Sequence, residues 1–124
     1  MKIRHTTNAA PVAPAAAATA EIFAAGERIN ITTTVPNQRI LARLTVSRDN
    51  ADPAGNGTYR FVLDGAPFGT ARVGPTGTNA EGLTVLEDLI VPAVAGAHQI
   101  SAQVTSNGDV ETVSAGAVLV TEGA

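Results

Sequence analysis

The stretch Gly57-Thr58-Tyr59-Arg60-Phe61-Val62-Leu63-Asp64-Gly65 alternates Tyr59, Phe61 and Leu63 with Arg60, Val62 and Asp64, the period of a β-strand. Asp64-Gly65 then signals a tight turn into a second strand, Pro67 to Val73, anchored by Phe68. The best partner for the first stretch is His98-Gln99-Ile100-Ser101-Ala102-Gln103-Val104, which has the same period. Both runs are expected to be core strands of a small β domain.

Further strands are expected on either side. Ile40, Ala42, Leu44 and Val46 form the inward row of a strand over 39–47, with Leu41, Arg43 and Thr45 facing outward. Glu21 to Ala24 reads as a short strand, and 28–35 as another with Ile29 and Ile31 on one face. Residues 83–91 give a strand in which Leu83, Val85 and Leu89 share one face. The tetrapeptide Ser106-Asn107-Gly108-Asp109 reads as a hairpin turn, with strand segments at 110–113 and 115–120 after it. Two polar stretches, 48–57 and 74–82, read as long loops. Seven or eight short strands without an amphipathic helix predict an all-β, two-sheet antiparallel sandwich. A jelly roll is favoured over an immunoglobulin-like sandwich, whose Cys–Trp–Cys mark cannot occur in a chain without Cys or Trp.

Residues 1–20 differ in composition. Lys2 and Arg4 precede an Ala/Pro mixture that cannot fold alone, and Pro11 and Pro14 interrupt what would otherwise resemble a leader peptide. The segment is expected to be an extended N-terminal arm, with the sandwich occupying 21–124 and surviving removal of the arm. The chain has 124 residues, 44% hydrophobic but only 3% aromatic, so its alanine-rich core is thin and self-association is expected. A net charge of −3 with scattered arginines argues against a nucleic-acid partner. The short hydrophobic runs give no membrane-spanning helix.

Chemistry-bearing residues are few. His98 lies on the same strand face as Ile100, Ala102 and Val104, and is read as a structural histidine bonded to backbone or to a neighbouring subunit. The loop Asp49-Asn50-Ala51-Asp52-Pro53-Ala54-Gly55-Asn56 is rich in oxygen ligands, but its spacing does not match a calcium-binding EF-hand and Asx turns explain it. Glu87 and Asp88 are adjacent on a strand and point to opposite faces. No cofactor, metal or catalytic set is expected, and the chain is read as a non-enzyme.

The order of features resembles small bacteriophage virion proteins with jelly-roll domains, namely capsid decoration (cement) proteins and fibre-tip domains. The resemblance rests on Ile40-Leu41-Ala42-Arg43-Leu44-Thr45-Val46, the Tyr59–Gly65 stretch, Ala95-Gly96-Ala97-His98-Gln99-Ile100-Ser101-Ala102-Gln103-Val104, and Ala117-Val118-Leu119-Val120-Thr121-Glu122. It implies a homotrimer on the capsid surface of a virion, with the major capsid protein as partner and the arm reaching across the shell. Partner contacts are then expected from Ile3, Arg4, Pro11, Val12 and Pro14 in the arm, and from Thr76, Thr78 and Asn79 in the second long loop. The alternative is a tail-fibre or receptor-binding module that takes carbohydrate through the 74–82 loop.

Overall fold

A computed structural model describes residues 2–51, 54–77 and 79–122. The strands are β1 (Lys2–Thr7), β2 (Thr19–Glu21), β3 (Ile29–Thr33), β4 (Ile40–Asp49), β5 (Gly57–Leu63), β6 (Ala66–Val73), β7 (Asn79–Ile90), β8 (Gly96–Ser106) and β9 (Val113–Glu122). One sheet has the order β1-β9-β4-β7; the other has β2-β8-β5-β6, with β3 also on β8. Pairing is antiparallel throughout. Strands β2 and β3 share one position: β2 pairs with the Gln103–Thr105 part of β8 and β3 with its Gly96–Ile100 part. Counting them once gives eight strands, four to a sheet, in which the chain changes sheet at every connection except the β5–β6 hairpin, the jelly-roll plan.

The expected central pair is present: β5 and β8 align Tyr59 with Val104, Phe61 with Ala102 and Leu63 with Ile100. The turn after β5 has positive φ at both Asp64 (51°) and Gly65 (82°), which matches the twist of the hairpin to β6. Ile40, Ala42, Leu44 and Val46 all point into the core, meeting Tyr59, Phe61, Ile100 and Val104 from the facing sheet.

Four expectations are corrected. Only Glu21 of the 21–24 segment is in a strand; Ile22 makes a last backbone bond to β8, its N–H donating to Ala102 O, and Ile22 and Phe23 fill the core before a short 3-10 turn at Ala25–Glu27. In β7 the register shifts between Leu44 and Thr45 of β4, which skips Val85. This bulge hands the inward positions to Leu86 and Ile90 and turns Leu89 outward. The Asn107-Gly108 turn does not make a hairpin, because β8 and β9 lie in different sheets; residues 110–112 form a connection between them. The loop expected over 74–82 is shorter, since Asn79 already pairs with Asp49.

Residues 2–20, expected as an arm beside the sandwich, are extended and run along it. Strand β1 pairs with β9 along its whole length, from Lys2–Glu122 to Thr7–Ala117. Val12 exchanges both backbone hydrogen bonds with Val113, and Ala17 and Ala18 bond to Ser106. Pro14 is buried, its carbonyl accepting from Ser106 Oγ at 2.7 Å. The order arises because β9 would otherwise present an open edge of unpaired N–H and C=O groups. No helix among the described residues is long and apolar enough to cross a membrane.

Candidate functional site

Two polar constellations sit at opposite ends of the β5–β8 pair. The first lies beneath the loops that sequence reading singled out. Arg48, expected to open a solvent loop, is instead the last inward residue of β4 and is buried, as is Glu111. The Glu111 carboxylate accepts from Arg48 Nε (3.0 Å to each oxygen) and Nη2 (2.8 Å), from Asn50 Nδ2 (2.6 Å) and from the Tyr59 hydroxyl (2.6 Å). Arg48 Nη2 also donates to the carbonyls of Gly55 and Gly77, and Asn50 Nδ2 to that of Gly77. Asn50 Oδ1 accepts from Thr112 N. Burial, then the hydrogen bond and charge of Glu111, raise the Tyr59 hydroxyl far above its ordinary pKa, outweighing Arg48. Tyr59 is therefore a fixed donor. The hub joins three connections of the fold, β4–β5, β6–β7 and β8–β9, at one buried point and so holds these loops together. Asn50 is turned inward and Asp52 lies outside the described residues; no cluster of three or more acidic, His or Cys side chains suited to a metal occurs among the described residues.

The second constellation is at the other end. His98 Nδ1 lies 2.6 Å from Asp64 Oδ2 and its Nε2 lies 2.6 Å from the Val94 carbonyl. Asp64 is fixed in turn: its Oδ1 accepts from Gln99 N, and its own N–H donates to Gln99 O. The Asp64 hydrogen bond and the Val94 carbonyl raise the His98 pKa above its ordinary value. Partial burial pushes the Asp64 carboxyl up, but the His98 and Gln99 hydrogen bonds outweigh it and hold the group below its ordinary value. Around the pair is an open depression of about 360 Å³, lined by Asn30, Ile31, Thr32, Asp64, Ala97, His98 and Gln99. His98 does bond backbone as expected. Its carboxylate partner was missed, although the β5–β8 register places Asp64 opposite Gln99 and so within reach.

The residues expected to bind a partner fall into separate places. Ile3 is exposed on the outer face of β1, and Arg4 is exposed on the same strand. Pro11 is exposed, Val12 packs against the core, and Pro14 is buried as described. Thr76 is exposed near the hub end, its hydroxyl 3.4 Å from Asn56 Nδ2. Asn79 starts β7, and Thr78 lies outside the described residues. Ile3 does belong to a larger feature. In register across the outer face of the four-stranded sheet run Ile3, Thr121, Leu41 and Leu89, and the three aliphatic residues are all exposed. Beside this row Arg43 and Glu87 form an ion pair at 2.7 Å.

Together these features define a jelly-roll sandwich with a sealed hub at one end, an Asp–His pair at the other and an apolar row on one outer face. By sequence the chain matches no protein-family model and none of the curated proteins. By structure it is similar to the infectious bursal disease virus VP2 subviral particle, with a TM-score of 0.59 and 14% identity over 98% of this chain and 32% of that one. It is also similar to T=1 particles derived from that virus (TM-score 0.55, 17% identity, 98% and 32% covered) and to the Gx strain (0.53, 13%, 99% and 32%). The chain thus spans about a third of the length of these viral proteins, and at such identities the likeness is one of fold.

Proposed function

We propose that this chain is a non-enzymatic virion structural domain that docks on the outside of a capsid shell as a decoration protein. The reading is supported above all by the likeness over 98% of the chain to a protein of virus particles. A homotrimer is its working unit and the major capsid protein its partner. Two features of the polar groups fit a structural role. Glu111 is already filled by donors and shielded from water, and both ring nitrogens of His98 are engaged. The Ile3, Leu41 and Leu89 side chains give one end of the outer face an apolar row of the kind that interfaces bury, with the Arg43–Glu87 pair beside it. Docking of this sort stabilises a shell by mass action, since each bound domain adds interactions that exist only in the assembled state.

The test is a density gradient of particles assembled in the cells that encode the chain. The wild-type domain is expected to travel with the particles. A Leu41→Glu, Leu89→Glu double variant is expected to stay at the top of the gradient while its melting temperature moves by less than about 3 °C, as for surface substitutions. A wild-type domain that never travels with particles would overturn the reading.

A further inference from the structure

At the end of the sandwich away from the hub, three connections meet. The loop between β7 and β8 exposes Val94, and the loop between β3 and β4 exposes Val35. They are joined by Asn37 N donating to Pro92 O and by Thr33 Oγ1, which lies 3.5 Å from Val94 O and accepts from Gly96 N. The third connection is the Asp64-Gly65 turn, and His98 reaches from it to Val94.

The hydrogen-bond count at His98 is decisive. A carboxylate and a backbone carbonyl are both acceptors, and a neutral imidazole has a single N–H to offer. With both acceptors at 2.6 Å, the neutral ring would press a lone pair against one of them. The imidazolium, with two N–H groups, satisfies both. The other way to supply two protons, a protonated Asp64, is disfavoured: the carboxyl is half exposed and also accepts from Gln99 N. The depression around His98 is lined by Asn30, Ile31 and Thr32 from β3 and by Ala97 and Gln99 from β8; among its lining residues, Asp64 is the titratable partner.

We infer that His98 is a pH-operated latch, which in its doubly protonated form ties the β7–β8 loop to the β5–β6 turn and on deprotonation lets the Val94 side of the tie go. The asymmetry follows from the partners. A neutral His98 keeps its remaining proton on Nδ1, toward the carboxylate, where the hydrogen bond is charge-assisted. The hydrogen bond that breaks is the one from Nε2 to Val94, leaving that loop held by Thr33 and Asn37. The sign is fixed by linkage. His98 has its pKa raised on folding, so its contribution is fully present below about pH 6.5, the unfolded value, and is lost as pH rises through the higher folded value. Asp64 has its pKa lowered, so its contribution is present above about pH 3.9 and is lost as pH falls through the lower folded value. The latch is therefore tightest in mildly acidic solution and opens on the alkaline side. It would work in the same way whether or not the domain sits on a virion.

The experiment is an NMR titration of ¹⁵N-labelled full-length protein from pH 5 to pH 9 with amide-exchange protection measured across the same range. Both His98 ring nitrogens should carry protons at the acid end, with a midpoint above about 6.5. Amides of residues 93–96 should shift with that same midpoint, and their protection should fall about tenfold, the worth of one hydrogen bond. Asp64→Asn should lower the His98 midpoint, and His98→Gln should abolish the titration of the loop. A His98 that is singly protonated throughout, or a loop insensitive to its titration, would overturn the proposal. If His98→Gln does not fold, the wild-type and Asp64→Asn titrations decide between these results.

Discussion

Replacing Glu111 by Gln should be among the most damaging single-atom changes available in this chain. The substitution keeps the shape of the side chain and removes its charge. In the native hub the two carboxylate oxygens accept from Arg48, Asn50 and Tyr59, and the Arg48 and Glu111 side chains are 1% and 0% exposed. An amide offers one oxygen where there were two, and sets an N–H₂ group against donors. The Tyr59 hydroxyl can rotate to accept, but the Arg48 guanidinium cannot, and its buried charge loses the Glu111 carboxylate. Breaking a buried pair from one side costs about 3–5 kcal/mol. With roughly 2.1 cal/mol/K of unfolding entropy per residue, a chain of 124 residues loses about 4 °C per kcal/mol. The expected fall in melting temperature is about 12–20 °C. Urea titrations of wild type, Glu111→Gln, Arg48→Met and the double variant would read this as a cycle. Removing both charges should cost clearly less than the sum of the single changes, because neither charge is then left alone. A loss under about 1 kcal/mol for Glu111→Gln, or strict additivity, would refute the argument that this pair is buried and mutually dependent.

Three further outcomes are expected. Gly57→Ala should destabilise by about 1–3 kcal/mol in urea, because an added Cβ would stand 2.7 Å from Glu111 Oε2 and 2.8 Å from its Cγ, in a side chain that has no room to retreat. Leu44→Ala, at a fully buried position of β4, should cost about 2–5 kcal/mol by the same assay. Deleting residues 1–20 should produce aggregation or loss of the cooperative melt, since it uncovers the β9 edge and strips Pro14 and Val12 from the hub side of the core; an unchanged melt would show that β1 and the following segment contribute little.

The legible part of the sequence is the part governed by period and turn chemistry. Inward rows in β4, β5 and β8 follow simple alternation, and Asp64-Gly65 carries the chemistry of its turn. What escaped reading involves one residue out of step or a side chain turned against its type. The Val85 bulge has no local mark, yet it reverses Leu89. Arg48 and Glu111 look like solvent residues, because nothing along the chain announces that residues 63 apart meet in the core. Lys2–Thr7 is too short a run to announce a strand without the β9 edge it covers, and the alanine- and proline-rich residues after it have little strand propensity of their own. The Asp64–His98 pair was within reach, since it follows once β5 and β8 are set in register.

The proposed decoration role requires this domain to sit on the outside of a shell through the outer face of its four-stranded sheet. Cryo-electron microscopy of particles from the cells that encode the chain tests it most directly. The expected result is density for a jelly-roll sandwich on the particle exterior, grouped in threes, with Ile3, Leu41 and Leu89 facing the shell. Particles that carry no such density, with the chain recovered only from the unassembled fraction, would contradict it.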